Sequence, residues 1–182
     1  MEGFCEQVVK VERKAKDNIL AVVYILLALG LPALCIPLAH IIVPYFLYIG
    51  LFILIAAVPL SIYLIKNQKI EYEYQVVDNF LLVDKIVAKR KRKKIVRIRI
   101  DEIKSIDKFS DSNYSGRKIN KFFVTVNNIE EKGVYAFSFY NEARGNCAIV
   151  MKPNTTILEG MRPKLMPELQ IKVLKLLRGE EI

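Results

Sequence analysis

In 182 residues the chain carries 28 Lys and Arg against 19 Asp and Glu, a formal net charge of +9, with one His and three Cys. A single histidine leaves no material for a histidine triad or a multi-histidine metal centre, and three widely spaced cysteines without a CxxC pair give neither a disulfide framework nor a zinc site. No GxSxG, HExxH, P-loop or GxGxxG pattern occurs, so the expectation is a non-enzyme without metal or cofactor.

At the start, Phe4, Val8, Val11 and Ala15 recur at helical spacing while Glu6, Lys10, Arg13 and Lys14 fall elsewhere. This predicts a short amphipathic helix in a cytoplasmic segment 1–17, either extending the next helix or lying among lipid headgroups. Gly3 stands one place too late for an N-myristoylation signal, and Cys5 is read as an unmodified thiol.

From Asn18 to Ile65 there is no Asp, Glu, Lys or Arg, and His40 alone can titrate. About 20 apolar residues span the hydrocarbon of a bilayer, so a stretch of this length holds two passes. Pro32, Pro37 and Pro44 cluster around its middle, which puts the reversal near 38–45 and the helices near 18–37 and 46–65. Lys10, Arg13, Lys14 and Lys16 precede the pair and Lys66 and Lys69 follow it, while the turn has no Lys or Arg. The positive-inside rule then predicts an integral cell-membrane protein with both termini cytoplasmic. A signal peptide has too short an apolar core to account for the stretch, and a second apolar segment follows directly.

Beyond Lys66 the apolar residues alternate. Ile70 to Val77 and Phe80 to Val87 read as strands around an Asp78-Asn79 turn, and a basic turn, 88–93, leads to a third strand over 94–100. Ile103 and Ile106 mark a short element, 110–118 a polar loop, and 121–127, 133–140 and 146–152 three further strands. Pro153-Asn154-Thr155 caps a helix ended by Gly160 and Pro163, and 167–177 forms a second helix. These six or seven antiparallel strands with C-terminal helices, over 67–182, suffice for one small cytoplasmic domain.

The run from Glu71 to Ile106 has an aromatic first strand, a tight turn, a second strand, a basic turn and a third strand ending in Asp101-Glu102-Ile103-Lys104-Ser105-Ile106. It resembles the opening of a bacterial pleckstrin-homology-like (PH-like) domain. With Phe4-Cys5-Glu6-Gln7 and the apolar hairpin, the whole chain is similar to a group of small bacterial two-span membrane proteins carrying such a domain. The resemblance implies an α+β membrane protein: a transmembrane helical hairpin, then an antiparallel PH-like barrel or sheet with C-terminal helices. Members of that fold commonly bind lipids, peptides or one another, and fold alone does not fix which.

Between residues 85 and 104 stand ten bases and two acids. Lys89, Arg90, Lys91, Arg92, Lys93 and Lys94 are therefore the candidate site, contacting anionic headgroups or a protein partner; the other reading is a solvated basic edge that blocks strand pairing. Nucleic acid is not expected, because the run lacks interleaved aromatics. The functional expectation is a non-enzymatic, membrane-anchored binding or scaffold module, whose partners are membrane lipids, a protein or a second copy. The alternative is an accessory subunit of a small transporter or pore; the uncharged spans speak against it and their prolines for it.

Overall fold

A computed structural model describes residues 4–13, 15–41, 43–109 and 119–180. The chain divides into two compact units, one of Met1–Val11, Glu71–Ile86 and Lys91–Ile182, the other of Glu12–Ile70 and Val87–Arg90.

The helical unit holds α1 (Ala15–Ile41) and α2 (Phe46–Asn67). At 1.5 Å per residue these are about 40 and 33 Å long, and both are long and apolar enough to cross a membrane. α1 begins three residues earlier than expected and continues past Pro37 to Ile41, which places His40 in its last turn and shortens the reversal to the residues around Pro44. Proline inside such a helix is tolerated where neighbouring groups re-satisfy the freed carbonyl. The helices meet through small residues: Ala28, Cys35 and Ala39 are buried on α1, and Gly50 is buried on α2. A Cβ on Gly50 would stand 2.9 Å from Cys35 Cβ and 3.3 Å from the Pro32 carbonyl. Across the same contact the Ser61 hydroxyl lies 3.2 Å from the Tyr24 carbonyl.

The second unit is built from two four-stranded sheets. In the first, β1 (Cys5–Lys10), β2 (Ile70–Val77), β3 (Phe80–Val87) and β4 (Lys91–Arg99) lie in the order β1-β2-β3-β4. In the second, β5 (Ile103–Lys108), β6 (Lys121–Val124), β7 (Tyr135–Asn141) and β8 (Gly145–Met151) lie in the order β5-β7-β8-β6. The sheets do not close into a barrel. Two short helices follow, α3 (Thr155–Met161) and α4 (Pro167–Leu177).

The amphipathic helix expected at the N-terminus is strand β1, antiparallel to β2 from Cys5↔Val76 to Lys10↔Glu71. Its burial alternates, with Cys5, Gln7 and Val9 half-buried and Glu6, Val8 and Lys10 exposed. Pairing with an aromatic strand overrode the coincidental helical spacing of Phe4 and Val8, which face solvent. β6 departs from the expected antiparallel pattern, since it runs parallel to β8, with Phe123 opposite Ile149. β8 is inserted between β6 and β7 and is buried on both faces. Cys147, Ile149 and Met151 join the main core, while Ala148 and Val150 join a smaller cluster with Val126 and Val134.

The main core joins Tyr74, Leu81 and Ile98 of the first sheet to Ile106, Phe137 and Ile149 of the second, closed by Ile157, Met161, Leu169 and Val173 from the helices. Each fully buried side chain of this size contributes about 1.5–3 kcal/mol. Asn154 caps α3 as its sequence indicates, accepting from the Ile157 amide at 2.8 Å. Gly160 lies inside α3 instead of ending it, and its lack of a side chain admits β1, since a Cβ there would stand 2.9 Å from Cys5 Sγ. The polar loop expected at 110–118 lies outside the described residues.

Candidate functional site

The six candidate cations divide between two settings. Lys89 and Arg90 stand in the turn 87–90, where the Arg90 amide donates to the Val87 carbonyl at 3.1 Å. Ala88 and Lys89 hold φ of 55° and 56°, the left-handed pair that a type I′ hairpin turn requires. Neither is glycine, so the geometry costs about 1–2 kcal/mol at each. The turn is held at its first residue: the Ala88 amide donates to the Lys69 carbonyl at 2.8 Å, two residues past the end of α2. Lys66, Lys69, Lys89 and Arg90 thus gather at one end of this apolar helix.

Lys91, Arg92, Lys93 and Lys94 open β4 and are all exposed. Arg92 has a partner: its Nη2 donates to Glu73 Oε1 at 2.9 Å, and Gln75 Nε2 donates to the same oxygen at 3.1 Å. Glu73 is 1% exposed, and its Oε2 has no donor among the described residues. Burial pushes its carboxyl above the usual range, the neighbouring Glu6 carboxyl adds to this, and Arg92 pulls the other way.

Further along β4, the Arg97 guanidinium stacks 3.7 Å from the centre of the Phe80 ring. Phe80 and Arg97 belong to two adjoining clefts. One, of about 560 Å³, is bounded by Val77, Leu82, Lys94 and Ile95; the other, of about 790 Å³, by Arg99, Lys104, Phe139 and Tyr140. Arg99 is engaged by Asp101 at 2.6 Å and Glu102 at 3.5 Å, an exposed cluster that solvent screens. That arrangement holds the Asp101 carboxyl below its ordinary range.

Charge counting along the chain picks out the basic run but not the buried acid beneath Arg92 or the stacked pair at Arg97. A signal for the first was present: in Glu71-Tyr72-Glu73-Tyr74-Gln75 the acids alternate with aromatics, so inward tyrosines put Glu73 on the opposite face. Pairing with β1, which local patterning did not reveal, then runs Val8 alongside that face. The turn and the start of β4 together present an exposed, positively charged surface.

A family model described as Bacterial PH-like domain (DUF6106) matches residues 1–170. No curated protein and no solved structure matches the chain. The match takes in β1, both apolar helices, both sheets and the first C-terminal helix.

Proposed function

The chain belongs to the bacterial PH-like domain family, and from that premise we propose that it is a non-enzymatic binding module anchored in the cell membrane, whose basic turn engages anionic lipid headgroups at the cytoplasmic face. The observation that carries this reading is the hydrogen bond from Ala88 to Lys69, which keeps Lys89 and Arg90 at the end of α2 beside Lys66 and Lys69. If α2 crosses the bilayer, these four cations lie at headgroup depth, where each contributes about 1 kcal/mol of attraction to an anionic leaflet. The lysines and arginines flanking the two helices, and their absence from the turn between, support a cytoplasmic location for both termini. The left-handed backbone at Ala88 and Lys89 supports a turn retained for its position.

The test uses the full chain in mixed micelles. Adding an anionic phospholipid is expected to raise the melting temperature, a zwitterionic one to leave it unchanged, and salt to reduce the effect as the Debye length contracts to about 8 Å at physiological ionic strength. The Lys89→Gln/Arg90→Gln variant is expected to lose about half of the stabilisation, since two of the four cations remain. Equal stabilisation of variant and parent overturns the reading. Labelling of a cysteine placed at His40 from outside intact cells, with none at either terminus, checks the orientation.

A further inference from the structure

We propose that β4 is the docking strand for an acidic, extended segment of another protein, which adds to the first sheet as a fifth strand. β4 ends that sheet and is its longest strand, nine residues or about 30 Å. An edge strand presents alternate backbone N–H and C=O groups to any chain that aligns with it. Native edges of this length are usually covered, shortened or bulged, and β4 has no neighbour on its outer side among the described residues.

Charge selects the occupant. Six of the nine β4 side chains are Lys or Arg. Arg92 and Arg99 are held by acids of the protein itself. Lys91, Lys93, Lys94 and Arg97 form no ion pair among the described residues, and Arg97 is aligned instead by Phe80. A second copy pairing through the same edge would set these cations against one another, and like charges directly opposite destabilise a strand pair. An acidic strand meets no such repulsion.

The clefts at the edge supply side-chain specificity. Successive side chains of an added strand point to opposite faces. The acidic set meets Lys94 and Arg97, which line one cleft together with Phe80 and Leu82; the opposite set reaches the second cleft, past Ile98, Phe139 and Met166, where apolar groups fit. The preferred ligand is therefore an extended segment alternating Asp or Glu with Val, Leu or Phe. The inference does not rest on the headgroup reading, which concerns Lys89 and Arg90 in the turn.

The test measures fluorescence anisotropy of a labelled ten-residue peptide alternating Glu and Val against the full chain in neutral detergent. Parent protein is expected to bind it and to ignore the same peptide with Lys in place of Glu. Methylating alternate backbone nitrogens of the peptide removes ladder donors and is expected to weaken binding about tenfold or more. Lys94→Glu/Arg97→Glu is expected to lose the acidic peptide to a similar extent and to gain the basic one, with the milder Lys94→Gln/Arg97→Gln in between. Unchanged melting of the variants in neutral detergent shows that the sheet is intact. Absence of binding, or binding that survives both N-methylation and charge reversal, overturns the proposal. So does loss of anionic-lipid stabilisation in Lys94→Glu/Arg97→Glu without any peptide binding, which assigns the strand to lipid.

Discussion

The Tyr74 phenol on β2 donates to the Thr125 carbonyl at 3.0 Å and stands 2.9 Å from the Thr125 hydroxyl, joining the first sheet to the end of β6 in the second. Both residues are fully buried, and the Thr125 hydroxyl donates a hydrogen bond to the Val150 carbonyl at 2.8 Å. Thr125 therefore links Tyr74 to β8, across the space that the apolar core fills.

Tyr74→Phe is expected to cost about 1–2 kcal/mol, because it leaves a buried carbonyl short of a donor while keeping the ring. A denaturation midpoint checks this. Burial is also the main cause that pushes the Tyr74 phenol up to about 12 from 10.0. The folded state then retains a proton that the unfolded state releases, so this contribution falls as pH rises from 10 through about 12. Phenolate absorbance is expected to develop later for Tyr74 than for exposed tyrosines, and the late component to shrink in Tyr74→Phe, leaving that of Tyr72, which burial also raises.

β1 is needed by the sheet domain. Gln7 donates from Nε2 to the Lys152 carbonyl at 3.0 Å and accepts from the Asn154 amide at 2.7 Å, tying β1 to the start of α3. Gln7→Ala is expected to cost about 1–2 kcal/mol by removing two hydrogen bonds. A fragment starting at residue 67 lacks β1 and bares the β2 edge, so it is expected to self-associate or unfold, whereas co-expressed residues 1–17 should rescue it in part. Circular dichroism and size-exclusion chromatography of the two preparations decide this.

Glu73 makes stability depend on pH. Its carboxyl is raised above 4.5, mainly by burial, so the folded state binds its proton more tightly than the unfolded state. The resulting stabilisation is complete below about 4.5 and is lost as pH rises through the folded value. Glu73→Gln keeps the shape without the titration. Its melting temperature relative to the parent is therefore expected to rise between pH 4.5 and neutrality. A difference that stays flat over that interval would show that Glu73 is not the titrating group.

Gly50 sets the approach of α1 and α2. Any side chain there meets Cys35 Cβ and the Pro32 carbonyl, so Gly50→Leu is expected to separate the helices and lower the melting temperature in detergent, and Gly30→Leu, which has nothing within 4 Å, is not. If both variants melt alike, the close packing of the pair has no energetic weight.

Much of the architecture was legible along the chain because the cues are local. A charge-free stretch between basic flanks marks two apolar helices; alternation around Asp78-Asn79 gives β2 and β3 with their bounds as observed; and Pro167 to Leu177 reads as the helix it is. Such patterns depend on neighbours two to four residues away, which the sequence displays directly. Pairing across long separations is different in kind. That Cys5–Lys10 becomes a strand against residues some 65 positions later, that β8 slips between β6 and β7, and that Arg92 is drawn to a buried Glu73 depend on which surfaces meet once the core forms. The sequence by itself therefore determined the two apolar helices, the alternating strands and the basic run. The tertiary structure decided which cations are already engaged, which edge of the sheet stays open, and that Cys5–Lys10 belongs with the sheets, because each rests on contacts between residues far apart in the chain.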